Sequence, residues 1–201
     1  MHRRIRPLAA LAACALSAAA HAAAPAETPA AVRAAAVLPD LARAQTIVID
    51  DVWNGFSRIA PIEAHYVLQR APNGFSGRAD FSAGGGYPGG PTRARADVAV
   101  PPAPVDAFFR MLAQAPLHAG EYTPKRRRSD DYPDLTITIT IDGKDVLFSS
   151  QSQGKERAPW LVHSGDADYV SDSGVPAAAL EKLAPYLRRD VLDAIVQTLR
   201  K

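Results

Sequence analysis

From Thr46 onward apolar and polar residues alternate, and they do so in four successive runs. Thr46–Trp53 is the first. In residues 62–70, Ile62, Ala64, Tyr66 and Leu68 fall on one side and Glu63, His65, Val67 and Gln69 on the other. A period of two is that of a β-strand, whose side chains leave alternate faces, so each run predicts a strand with one dry and one wet face. Residues 75–82 put Phe75, Gly77, Ala79 and Phe81 inward with Ser76, Arg78, Asp80 and Ser82 outward. Residues 93–100 put Ala94, Ala96, Val98 and Val100 inward, leaving Arg93, Arg95 and Asp97 outside. Pro72-Asn73-Gly74 marks a tight reversal, and the glycine-rich stretch 83–92 a long loop. The four runs therefore predict an antiparallel meander with one solvated face.

Three prolines, Pro101, Pro102 and Pro104, end this meander, and the period then changes. Val105, Phe108, Phe109 and Leu112 recur at helical spacing and predict a helix over 105–115. After a loop over 116–134, residues 135–141 alternate again, with Leu135, Ile137, Ile139 and Ile141 inward and three threonines outward. Asp142-Gly143 turns this strand into another over 146–150. A hairpin around Gly165 follows, from strands at 159–163 and 169–171, and then helices over 176–187 and Arg189–Leu199. The order of strands, helix, strands and helices could come from a duplicated half, but no residue-level repeat supports it. The expectation is one α+β domain over 45–201: an antiparallel sheet of about 7–8 strands, with one mid-chain helix and two C-terminal helices packed on one face. About 155 residues can bury roughly 70% of their unfolded surface, so no cofactor is needed for folding and none is expected.

The N-terminus carries a different pattern. Arg3, Arg4 and Arg6 precede an apolar run from Leu8 to Ala20, and Ala20-His21-Ala22 offers the small-x-small site of a signal peptidase. Residues 1–22 thus read as an export signal, and the mature protein as periplasmic or secreted. Cleavage there removes three of the 23 basic side chains and none of the 21 acidic ones, so the net charge of +2 becomes −1. The lone cysteine, in Leu11-Ala12-Ala13-Cys14, gives an alternative: lipidation at Cys14 would tether the chain to a membrane leaflet, the only membrane contact expected. Residues 23–44, rich in Ala and Pro, read as a linker. A near-neutral mature chain gives no reason to expect nucleic acid as a partner.

Candidate chemistry is sparse. Glu63 and His65 lie two apart on a wet strand face, where an imidazole beside a carboxylate could act as a general base. A carboxylate pair such as Glu121 with Asp131 is the alternative arrangement for hydrolysis. His65, His118 and His163 together could hold zinc, but no short ligand spacing links them. Residues 164–172 suggest a calcium loop, yet Val170, Ser171 and Ala177 occupy positions that would have to carry a third oxygen ligand, glycine and glutamate. The serines of 149–154 lack the surroundings of an activated nucleophile.

Lys125, Arg126, Arg127 and Arg128 are the sharpest charge feature after residue 22, followed at once by the acidic Asp130, Asp131 and Asp134. With Tyr122 and Trp160, read as loop aromatics, and the outward Arg78, Arg93 and Arg95, they form the expected binding surface, since aromatics and arginines anchor interfaces. The sequence therefore predicts a non-catalytic exported envelope protein that binds a protein partner or an envelope component, in its sharper form an inhibitor or immunity-type protein. The alternative is a periplasmic hydrolase of cell-wall or glycan material working through Glu63 and His65 or a carboxylate pair. Strand addition at the edge of residues 135–141 is a third mode of partner binding.

Overall fold

A computed structural model describes residues 30–55, 57, 59–85, 89–120, 122, 133–151 and 159–200. The strands are β1 (Val32–Arg33), β2 (Thr46–Trp53), β3 (Ile62–Ala71), β4 (Gly74–Ala83) and β5 (Thr92–Val100), then β6 (Pro116–Ala119), β7 (Asp134–Ile141), β8 (Lys144–Ser150), β9 (Trp160–Ser164) and β10 (Ala167–Ser171). Helix α1 (Pro102–Ala113) separates β5 from β6, and α2 (Val175–Leu180) and α3 (Arg189–Leu199) close the chain. All strand pairs are antiparallel, in the order β1-β6-β10-β9-β8-β7-β2-β3-β4-β5. The expected α+β architecture is present, with 10 strands among the described residues in place of 7–8.

Alternation fixes which side is dry. Ile47 and Ile49 of β2, Tyr66 and Leu68 of β3, Phe75 and Phe81 of β4 and Leu135, Ile137 and Ile139 of β7 are all at most 2% exposed. Each such side chain taken from water contributes roughly 1.5–3 kcal/mol, which makes register costly to shift because a one-residue slip would turn the whole set outward. The turns agree with this register. Gly74, at φ 106°, follows Pro72-Asn73, and a Cβ there would run into the Val100 carbonyl; Asp142 and Gly143, at φ 52° and 74°, both adopt the left-handed backbone that a two-residue hairpin requires.

The helices cover the dry face. Phe108 and Phe109 of α1 pack in a tilted pair 5.1 Å apart, and Phe109 meets Phe75 edge-on at 6.1 Å. Helix α1 also packs on α2, while α3 crosses β4 and β5. The small Ala94 and Ala96 of β5 pack against the same core and leave room for α3, whose Leu192 and Ile195 are buried.

Four local expectations need correcting. Residues 32–44 belong to the folded unit and not to a linker: β1 pairs with β6, and Ala34, Leu38, Leu41 and Ala44 are buried. Pro39 prevents a long helix, but single 3-10 turns at Ala34–Ala36 and Leu41–Arg43 fit on either side of it, and Arg70 donates to the Ala42 and Ala44 carbonyls at 2.5 and 2.6 Å. Residues 116–119, read as loop, form β6 between β1 and β10; four residues are too few to display a period. The helix expected over 176–187 stops at Leu180 and resumes as a 3-10 turn at Ala184–Tyr186, because Pro185 has no N–H for the Glu181 carbonyl. Finally, β7 is central, bonded to β2 and β8 on its two sides, so it offers no edge to an incoming strand.

Candidate functional site

On the face turned away from the helices, the pairing registers align polar side chains into rows. His65 stands opposite Asp50 of β2 on one side and Asp80 of β4 on the other. Asp80 faces Arg95 of β5, and Asp50 faces Thr136 of β7. One row therefore runs Thr136, Asp50, His65, Asp80, Arg95 across five neighbouring strands. Flanking rows hold Glu63, Ser82 and Arg93 on one side and Arg78 with Asp97 on the other.

These side chains bond to one another as their positions allow. His65 Nδ1 lies 2.6 Å from Asp50, whose second oxygen accepts from the Thr136 hydroxyl at 3.3 Å. An ionised carboxylate can only accept, so this bond places the proton on Nδ1 and leaves Nε2 available to a ligand. Asp80 accepts from Arg95 Nε at 2.6 Å and Arg78 Nε at 3.2 Å. Partial burial works against the charge of Asp80, but the Arg95 hydrogen bond and the charges of Arg78 and Arg95 outweigh it and hold the carboxyl below its ordinary range. Ser82 donates to Glu63 at 2.6 Å. Glu63, His65, Asp80, Ser82, Arg93 and Arg95 line one concavity of about 620 Å³.

Among the described residues no hydrogen bond joins His65 to Glu63 or Ser82: the imidazole is held by Asp50, and the serine gives its proton to Glu63. The face is consequently a set of fixed groups of both signs, from which His65 Nε2 and the exposed arginine heads can bond outward. Arg95 is 73% exposed on its side chain and His65 47%.

The structure thus brings together Glu63, His65, Arg78, Arg93 and Arg95, and adds Asp50, Asp80, Ser82 and Thr136. Trp160 does not join them. It begins β9, is 0% exposed on the helix side of the sheet, and its Nε1–H is buried without an acceptor among the described residues, so its role is in the core. Tyr122 is half-buried and lies outside every strand and helix. Lys125, Arg126, Arg127 and Arg128, like Glu121, Asp131 and Cys14, lie outside the described residues. His118 is in β6 and His163 in β9, where it pairs with Asp168 at 2.7 Å; among the described residues no three metal-ligating side chains gather. The calcium-like stretch is the β9–β10 hairpin, turning at Gly165 with φ 62°. No described helix is long and apolar enough to cross a membrane.

Asp50 was the residue hardest to select from sequence. It stands next to Asp51 in an alternating strand, and such a doublet must send one carboxylate to each face; the signal was there, but the partner strand was not. Comparison with known protein families, curated proteins and solved structures finds no match.

Proposed function

We propose that this protein is a non-catalytic binding module of the bacterial envelope, exported with loss of residues 1–22, that holds a protein partner on the open face of its sheet. The observation that carries this reading is the row Asp50, His65, Asp80, Arg95 with Arg78, Arg93 and Glu63 beside it, a surface of both signs around one concavity. A polyanion would meet carboxylates as often as arginines there. A protein surface carrying both signs can match each group, and rigid strands fix the groups before binding, which lowers the ordering cost. An inhibitor or immunity-type role is the finer form of this proposal, in which the exposed arginine heads enter the partner's acidic cleft.

The test is capture from native envelope extract with immobilised protein, comparing wild type with Arg93→Ser/Arg95→Ser. A stoichiometric partner retained only by wild type supports the proposal. Identical captured sets from two equally stable proteins would remove the face from consideration.

One observation favours the hydrolase reading: a carboxylate-oriented imidazole in a concavity, with Glu63 on its wall. That reading predicts turnover of glycan substrates that disappears in both His65→Gln and Glu63→Gln, whereas the binding proposal predicts no turnover in any of the three proteins.

A further inference from the structure

The two edges of the sheet are unlike. At one, β1 is two residues long and gives way at once to the 3-10 turn at Ala34–Ala36; at the other, β5 keeps unbroken register with β4 from Thr92 to Val100. The unpaired N–H and C=O groups of an edge are a template for another strand, and folded proteins blunt them with shortness, a bulge, an internal proline or an inward charge. β5 has none of these. Pro91 and Pro101 stand just outside it, and its helix-side residues Ala94, Ala96, Val98 and Val100 are all apolar. Among the described residues its backbone pairs only with β4. Cover on the helix side also stops short. Val98 and Val100 are buried, whereas Ala94 and Ala96 are partly exposed, and a shallow groove of about 420 Å³ lies between Thr92 and Ala94 and the α3 residues Val191, Ala194 and Thr198. Asp190 on its rim is already paired with Arg188 at 3.1 Å.

The charges of β5 select the occupant. A second copy adding its own β5 antiparallel, about a two-fold axis normal to the sheet, must set dry residues opposite dry ones, so the axis passes through a single residue. Centring on Arg93, Arg95 or Asp97 sets that charge against itself, and centring on Ala94 sets Arg93 against Arg95 twice; like charges directly opposite are destabilising. Centring on Val98 or beyond cuts the ladder to residues 96–100 at most. Centring on Ala96 alone uses the whole strand, from Thr92 opposite Val100, with about eight backbone hydrogen bonds. It sets Arg95 opposite Asp97 twice and Ala94 opposite Val98 twice. Both charges are available for this. Arg95 is held to Asp80 through Nε, which leaves its terminal N–H groups to donate, and Arg78, opposite Asp97 in β4, is turned to Asp80 at 3.2 Å and leaves the Asp97 carboxylate exposed.

We propose that the protein associates with a second copy of itself through β5 in the Ala96-centred register, continuing the sheet across the two-fold axis and covering Ala94 and Ala96. This contact does not depend on the partner assigned to the wet face.

The test is sedimentation equilibrium of the full-length protein with two charge reversals. Arg95→Asp opposes two pairs of carboxylates and Asp97→Arg two pairs of guanidinium groups, so each variant alone should dimerise about tenfold more weakly than wild type, or less. Their equimolar mixture should recover the wild-type affinity as a heterodimer, because one copy then carries acid at both positions and the other base; native mass spectrometry identifies it. Hydrogen exchange of the wild type needs no variant: amides within residues 92–100 should exchange more slowly in concentrated than in dilute protein. A wild type that is monomeric at about 0.1 mM, variants that dimerise as wild type does, a mixture of folded variants that stays monomeric, or exchange over 92–100 that ignores concentration would overturn the proposal.

Discussion

Asp50 and Asp51 are adjacent in β2, yet their carboxylates occupy different solvents, one at the open face beside His65 and the other beneath the sheet beside Arg189. Removing their partners should have unequal costs. Arg189→Ala leaves a buried carboxylate without its cation; because the guanidinium is half-exposed, the expected loss is about 2 kcal/mol, less than the 3–5 kcal/mol typical of a fully buried pair. His65→Ala on the open face should cost less than about 1 kcal/mol. Urea denaturation at neutral pH separates the two. Tyr66→Phe should behave in the opposite way, holding or raising stability by about 1 kcal/mol, because it deletes a buried donor that lacks an acceptor.

Asp80 gives the residue-level pH dependence. Its folded carboxyl titrates below the ordinary 3.8, so its stabilisation is fully present above about pH 4 and is lost as pH falls through the folded value. Asp80→Asn should flatten the fall in the urea midpoint below about pH 4, and leave the shape of the profile above about pH 5 unchanged. An unaltered acid limb in that variant would show that Asp80 does not carry it.

Among the elements, long strands were legible and short ones were not. Eight strands repeat apolar and polar positions over enough residues for period two to show, and α3 was bounded at Arg189 and Leu199 by the break at Leu187-Arg188, where Arg188 turns left-handed at φ 52°. The pairs β1 and β6 were missed because two and four residues carry no period; they exist through tertiary pairing alone. Trp160 was misread for a related reason: its neighbour Pro159 looks like loop chemistry, while burial of the indole depends on the sheet around it. At the site, the outward faces of β3, β4 and β5 were readable. The rows across them were not, since register between strands up to 86 residues apart, as from Asp50 to Thr136, is not written locally. The element-level prediction concerns the N-terminal segment. A chain starting at Gln45 lacks β1 and buried Leu38 and Leu41, and should lose roughly 3–5 kcal/mol relative to one starting at Ala30, measured by urea denaturation. Equal stability of the two would mean that residues 30–44 do not contribute to the core.

Over the whole molecule, two four-stranded meanders, β2 to β5 and β7 to β10, meet at the β2–β7 pair, and each is followed by helix. The chain order allows such a doubling, though no residue-level repeat supports a duplication, and β2 and β7 pair antiparallel where the two meanders meet. The halves are not independent, because α3, which follows the second meander, packs on β4 and β5 of the first. Helices on one side leave the other side of the sheet as a broad surface of fixed polar groups, with the charges described above concentrated on the first half.

This surface provides its own internal control. His65 and His163 are both exposed, both turned away from the helices and both paired to an aspartate, but they stand four strand spacings apart, about 19 Å. The most direct measurement is the rate of diethyl pyrocarbonate modification of each histidine, read by mass spectrometry, for the protein alone and in native envelope extract. Binding at the charged face predicts that His65 is protected in the extract while His163 keeps its free rate. Unchanged modification of His65, or protection confined to His163, would contradict it.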